Sequence, residues 1–336
     1  MDSITQLVLG ATVGEAVMGR KVGHKAVLWG AIAGTLPDLD VFIPLGDVVR
    51  DFTDHRSSSH SLFVLAALTP LMVWLINKIH PGLREHRSRW MLMIYLVFAT
   101  HVLLDSFTAY GTQIFWPIVT TPVSWSTVFI IDPLYTLPMV VGVLAALLMT
   151  RDTNRGHLLN RYGLVLSAAY LSWTLIAKQV TESNIEADLQ AQDIRYQKIF
   201  TTPSPFNSLL WRAVVKVDNG YYEGFYSVLD REGSTRFRFY PSDESLLSGI
   251  EGYWRVQRLK WFSRGFYSVS QRDSDIVISD LRMGIEPNYV FSFKVGEISN
   301  PHAEPAVPEA IPNRWDLSKL ELIWQRIWDQ TVILGR

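Results

Sequence analysis

Long apolar runs crowd the first half of the chain and then stop. Runs near 4–19, 26–45, 60–79, 90–108, 126–149 and 162–178 each approach the ~20 residues that cross a bilayer. SLFVLAALTPLMVWLINKI, residues 61–79, is typical of them. The first run is short and carries Gln6 and Glu15, so it either spans, re-enters or inserts in part. The second is interrupted by Pro37-Asp38-Leu39-Asp40. A proline there disfavours helix at the residue before it and removes a backbone donor. Polar, broken backbone at membrane depth is tolerated only against protein or water. The pattern predicts an α-helical multi-pass membrane bundle of five or six spans over residues 1–180.

Beyond residue 180 the period changes. Residues 181–204 read as a helical linker that ends in TTPSPFN. Residues 205–336 read as a soluble α+β domain with an antiparallel sheet. LLWRAVVKVDNGYYEGFYSVLD, residues 209–230, predicts a hairpin closed at Asn219-Gly220, a pair suited to a type I′ turn. A strand at STRFRFYP and a helix over 242–260, capped by Ser242, come next. Strands follow near 265–271, 275–283 and 288–295. NPHAEPAVPEAIPN reads as a Pro-rich connector. The last element is an amphipathic helix over 315–331, with Leu317, Leu320, Trp324, Ile327 and Trp328 on one face.

Charge refines this picture. Lys and Arg gather in the loops after the first, third and fifth runs, which sets those loops in the cytoplasm. The expected location is therefore the inner membrane, multi-pass, with the C-terminal domain extracytoplasmic and the lipid bilayer as first partner. The formal net charge of −1 offers no bulk attraction for nucleic acid. The absence of Cys excludes disulfides, thiolate metal sites and a Cys nucleophile. The N-terminus lacks the basic region and cleavage site of a removable signal peptide, so the early runs are expected to stay as anchors.

Against this apolar background, the ionisable residues stand out. His101 and Asp105 in HVLLD are four apart, which puts both on one helix face. They either chelate one cation or form an internal hydrogen-bonded pair. DHRSSSH supplies His55, Arg56 and His60, and PDLD supplies Asp38 and Asp40. The alternatives are a solvated loop and a local Asp turn. Arg56 either clamps an anionic group or pairs with Asp51 or Asp54. Asp132, before Pro133, reads either as a supporting partner behind the site or as structural. Trp116 and Trp125 read as interfacial anchors. The N and O donors without sulfur suit zinc, manganese or magnesium. Asp38, Asp40, His60, His101 and Asp105 are the candidate ligands. Asp40, His55 and Arg56 are the candidates for proton transfer and substrate holding.

At MDSITQLVLGATVGEA, GTLPDLD, HRSSSHSL and HVLLDSFTAYGT the chain resembles the YdjM-like membrane-bound metal-dependent hydrolases, described as LexA-regulated inner-membrane proteins. The resemblance covers about half the chain. It is a long form with a C-terminal extension. It implies roles for Asp38, Asp40, His55, Arg56, His60, Ser61, His101 and Asp105. One departure is Thr5-Gln6, where many members carry a His. Either the site lacks that ligand, or Gln6 or Glu15 replaces it. Together these features predict metal-activated hydrolysis of a phospho- or carboxylic ester of a lipid or other amphiphile, with zinc the favoured divalent ion. The rival expectations are an ion- or proton-coupled transporter and a membrane-tethered binding or scaffold protein.

Overall fold

The computed structural model describes residues 1–149, 154–231, 233, 235–299, 302–312 and 319–334. Two helices, α1 (Ser3–Val22) and α2 (His24–Thr35), turn back on each other at Gly23. Each carries a small-residue pair four apart, Gly10/Gly14 and Gly30/Gly34. This spacing lets two backbones touch. A Cβ on Gly10 would lie 2.3 Å from the Gly30 carbonyl oxygen, and one on Gly34 would lie 2.5 Å from the Gln6 carbonyl oxygen. No side chain fits at either position.

After α2 the chain makes a 3-10 turn at Pro37–Phe42, then a short helix α3 (Val48–Asp54) and a second 3-10 turn at Ser58–His60. Helix α4 (Leu62–Ile79) starts at Ser61, whose hydroxyl accepts from the Phe63 and Val64 N–H groups. Helix α5 (Arg87–Ser106) is the central element, with Trp90, Met93, Ile94, Val97 and Phe98 all fully buried. Helices α6 (Pro133–Met149) and α7 (Arg155–Ala191) follow.

The expected five or six spans are not observed. Among the described residues, only 62–79 and 81–106 are long and apolar enough to cross a membrane. Each of the other four runs fails for a local reason. Helix α1 buries Thr5, Gln6, Thr12 and Glu15, which lowers its hydropathy. Helix α2 has 12 residues, because the Pro37 turn ends it. Helix α6 has 17, because it begins at Pro133 and not near 126. Helix α7 spreads buried Asn160, Ser167, Thr174 and Thr181 along its length.

The chain forms two compact units, Met1–Ile43 with Asp54–Thr174, and Pro44–Thr53 with Leu175–Arg336. In the second unit, strands β1 (Lys198–Pro203), β2 (Leu210–Val217), β3 (Gly220–Ser227) and β4 (Arg238–Pro241) pair in that order, all antiparallel. Helix α8 (Trp254–Phe262) precedes β5 (Tyr267–Arg272), β6 (Asp275–Asp280), the short pair β7 (Gly284–Ile285) and β8 (Asn288–Tyr289), then β9 (Ser292–Ser299) and β10 (His302–Ala310). The second antiparallel sheet has the order β10-β9-β6-β5. Segment 44–53 belongs to this unit through Phe52, whose ring lies 4.4 Å from Phe291 and 4.8 Å from Phe262 between centroids. Asp47 adds an ion pair to Arg255 at 2.6 Å.

Five details differ from the sequence reading. The expected helical linker over 181–204 is helical only to Ala191 and contains β1. Residues 242–260 are not one helix: Asp243, not Ser242, caps a 3-10 turn at Glu244–Leu247, and α8 begins at Trp254. Val217 pairs with Gly220, so the hairpin loop is Asp218-Asn219, and neither residue has positive φ. Gly220 instead begins β3, where a Cβ would meet the Tyr240 carbonyl oxygen at 2.2 Å. The Pro-rich connector is strand β10, an edge strand whose register breaks between Pro305 and Glu309. Prolines are tolerated there because an edge leaves N–H positions unused. In α9 (Lys319–Trp328) the buried residues are Ile323 and Ile327, while Trp324 and Trp328 are exposed. Leu317 lies outside the described residues.

Candidate metal centre

Asp38, His60, His101 and Asp105 converge. One donor atom from each lies within 4.8 Å of every other. They come from three elements of the first unit: the 3-10 turn after α2, the 3-10 turn before α4, and α5. The i, i+4 spacing of His101 and Asp105 stacks them on the face of α5 that points inward. His60, His101 and Asp105 are almost wholly buried, and Asp38 is half-buried.

The separations are regular. His60 Nε2 lies 3.2 Å from His101 Nε2, 3.1 Å from Asp105 Oδ2 and 3.3 Å from Asp38 Oδ1. His101 Nε2 lies 3.5 Å from Asp105 Oδ2 and 3.6 Å from Asp38 Oδ1. Four ligands about 2.0–2.1 Å from a central ion form a tetrahedron with edges of about 3.3–3.4 Å. The five measured edges bracket that value.

Hydrogen positions follow from the outer partners. His101 Nδ1 meets the Gly34 carbonyl oxygen at 2.7 Å. A carbonyl only accepts, so Nδ1 carries the hydrogen and the neutral ring presents a lone pair at Nε2. Ser59 Oγ donates to Asp40 Oδ2 at 2.5 Å, which leaves it to accept from His60 Nδ1 at 2.9 Å. His60 Nε2 therefore also presents a lone pair. With both rings neutral, two imidazole lone pairs and two carboxylate oxygens face one another. Burial makes such an arrangement costly unless a cation lies between them. Asp38 Oδ2, Asp105 Oδ2, Gln6 Oε1 and Arg56 Nε are buried without a hydrogen-bond partner, all in this neighbourhood. The donor set fits a divalent ion.

Asp105 Oδ1 is held from the other side. Gln6 Nε2 donates to it at 3.0 Å, the Met1 amino group donates to it, and the Arg56 guanidinium lies at 3.3 Å. Oδ2 is thus left to face the centre. Arg56 is buried against Thr108 and stacks over Tyr110. Its partner is Asp105 rather than Asp51 or Asp54. Its backbone has φ of 60° in the left-handed region, where its N–H reaches Asp40 Oδ2 and its carbonyl accepts from Gln113.

Asp40 stands outside the four-residue group. Its Oδ1 holds His55 Nδ1 at 2.8 Å. Burial pushes the Asp40 carboxyl up, but the hydrogen bond and charge of His55 outweigh it and hold the group below its ordinary range. The His55 ring lies 6.0 Å from the His60 ring and 5.5 Å from Tyr110 between centroids. Ser61 caps α4 and donates to the Trp116 carbonyl. Asp132 caps α6 through the Leu134 and Tyr135 N–H groups and accepts from Tyr170, a structural role. Glu15 lies elsewhere and pairs with His157.

Sequence reasoning missed Ser59, Gly34 and the helix-pairing glycines. The two GxxxG spacings were the readable signal for the glycines. Gln6 was named only as a substitute for a missing histidine, and it reaches the site as a hydrogen-bond donor to Asp105.

A family model described as YdjM inner membrane protein matches residues 1–181. No curated protein and no solved structure matches the chain.

Proposed function

The chain belongs to the YdjM inner membrane protein family, and we propose that it is a metal-dependent hydrolase of membrane amphiphiles. The observation that carries this reading is the convergence of two imidazoles and two carboxylates, three of the four side chains buried. Asp38, His60, His101 and Asp105 would hold the ion, and the N₂O₂ donor set, with five of its six spacings near tetrahedral, favours zinc over magnesium. Bound there, a divalent ion supplies Lewis acidity to an ester and lowers the pKa of water.

The chain's own residues supply the remaining chemistry. Asp40 fixes Nδ1 of His55, so His55 Nε2 is free to accept a proton from water. Asp40 therefore acts through His55, not as a ligand. Arg56 neutralises Asp105 and retains an uncommitted Nε toward an anionic substrate oxygen. Leu39, Val41, Phe42 and Ile43 flank these carboxylates and are 49–78% exposed. An apolar lip beside a polar site suits a substrate with a polar head and an acyl tail.

The test is metal content of the detergent-purified protein by inductively coupled plasma mass spectrometry. About one zinc per chain is expected, lost in His101→Ala and Asp105→Ala. Metal retained in both variants, or none after reconstitution, would overturn the assignment. His55→Ala should keep its metal and lose about 10²–10⁴-fold in ester or phosphoester hydrolysis.

A further inference from the structure

A second polar site lies at the other end of α1, about 13 Å along the helix from Gln6. Glu15 is buried, and its carboxylate folds back over its own helix to meet His157 Nδ1 on α7. Gly19 makes that rotamer available. A Cβ at position 19 would fall 1.2 Å from Glu15 Oε2, so any side chain there would expel the carboxylate. The Glu15–His157 pair and Arg20 are shared by two adjoining cavities of about 360 and 140 Å³.

The walls of the smaller cavity are strongly basic. Arg20 and Lys21 come from α1, Arg89 from α5 and Arg161 from α7. All four are exposed at their heads, and none has a side-chain hydrogen bond or ion pair among the described residues. Four cations from three helices thus surround one carboxylate in a chain whose net charge is −1. Like charges brought together this way repel unless an anion joins them. A metal ion is the wrong occupant: among the described residues the only group of His and carboxylates spaced for a metal is the one around His60 and His101. Guanidinium forks match phosphate oxygens two at a time, and three of the four cations are Arg.

We infer that this cavity is a phosphate-binding site, distinct from the metal centre, filled by the headgroup of an anionic phospholipid or by a soluble phosphate. Clusters of Lys and Arg attract anionic lipid headgroups by the same chemistry.

The full chain in neutral detergent is titrated with phosphatidylglycerol, with phosphatidylcholine and with inorganic phosphate. Binding is read by native mass spectrometry and thermal shift. The wild type is compared with Arg89→Gln/Arg161→Gln, with Arg89→Lys/Arg161→Lys, and with Gly19→Leu, which displaces the Glu15 carboxylate from the wall shared by both cavities without removing a cation. Phosphatidylglycerol should bind the wild type in preference to phosphatidylcholine. The double Gln variant should bind about thirtyfold more weakly, at about five- to sixfold per lost charge. The double Lys variant should retain most of the affinity, and Gly19→Leu should lose it. Protection by phosphate alone, lost in the double Gln variant, would assign the site to a soluble phosphate. Equal binding of all lipids, or equal binding by wild type and double Gln variant with both probes, would overturn the inference. Metal content at His101 and Asp105 serves as the folding control.

Discussion

Gly34→Ala tests whether the backbone contact between α1 and α2 sets the metal centre. The new Cβ would lie 2.5 Å from the Gln6 carbonyl oxygen and 3.1 Å from Gly10 Cα, where ordinary contact begins at 3.4 Å. Both neighbours are backbone, so no rotamer change relieves the clash, and the helices must part by about 0.9 Å. Overpacking of this kind costs about 1–3 kcal/mol. The same shift acts on two bonds of the centre. Gly34 O orients His101 at 2.7 Å, and Gln6 orients Asp105 at 3.0 Å. Lengthening either by most of an ångström takes it past hydrogen-bond range. Loss of one such outer partner weakens metal binding about 10–100-fold, or about 1.4–2.7 kcal/mol. The assay is zinc titration against a competing chelator, with thermal unfolding in parallel. Gly14→Ala is the matched comparison: its Cβ would meet the Ala26 carbonyl oxygen at 2.4 Å, but it lies about 12 Å along α1 from Gln6. It should destabilise the fold as much and weaken zinc less. Gly82→Ala, with no atom within 4 Å of the new Cβ, should change neither. Wild-type zinc affinity in Gly34→Ala would refute the reasoning.

Gln6→Ala removes a donor to Asp105 without touching the helix contact, so zinc affinity should fall about 10–100-fold while the melting temperature changes little. Phe52→Ala empties the aromatic pocket made with Phe262, Phe291 and Phe293 and should destabilise the C-terminal unit by about 3–5 kcal/mol, read as earlier unfolding of the full chain in denaturant. In the same unit, burial pushes the Asp47 carboxyl up, but hydrogen bonds from Arg255 and from the Val49 and Arg50 N–H groups outweigh it and depress the group. Its contribution is therefore complete above the unfolded value near pH 4 and is lost as pH falls through the folded one. The stability difference between wild type and Asp47→Asn should shrink steadily below about pH 4, and a difference independent of pH would contradict the assignment.

The parts of the site that could be read in the sequence were those set by local geometry. A helix puts residues four apart on one face whatever surrounds it, so His101 and Asp105 were bound to meet. The Pro37 break was also legible, because proline acts on its own backbone. What could not be read was which of Asp38 and Asp40 joins His60, His101 and Asp105. That depends on Ser59, which bonds Asp40 and so turns it toward His55. Nor could the pattern assign segment 44–53 to the C-terminal unit, since Phe52 finds its partners some 210 to 240 residues later in the chain.

The overcount of spans has the same origin. Hydropathy measures how little a segment wants water, and lipid and protein interior both satisfy it. In α1 and α2 the small residues answer a different need: they bring two backbones close enough for Gly34 and Gln6 to reach His101 and Asp105 on α5. Gly10, Gly14, Gly30 and Gly34 thus look like ordinary apolar filler in a hydropathy count, yet they are the reason a lone pair on His101 and a free oxygen on Asp105 point at one place. Apolar content and site geometry are here two consequences of the same close helix contact.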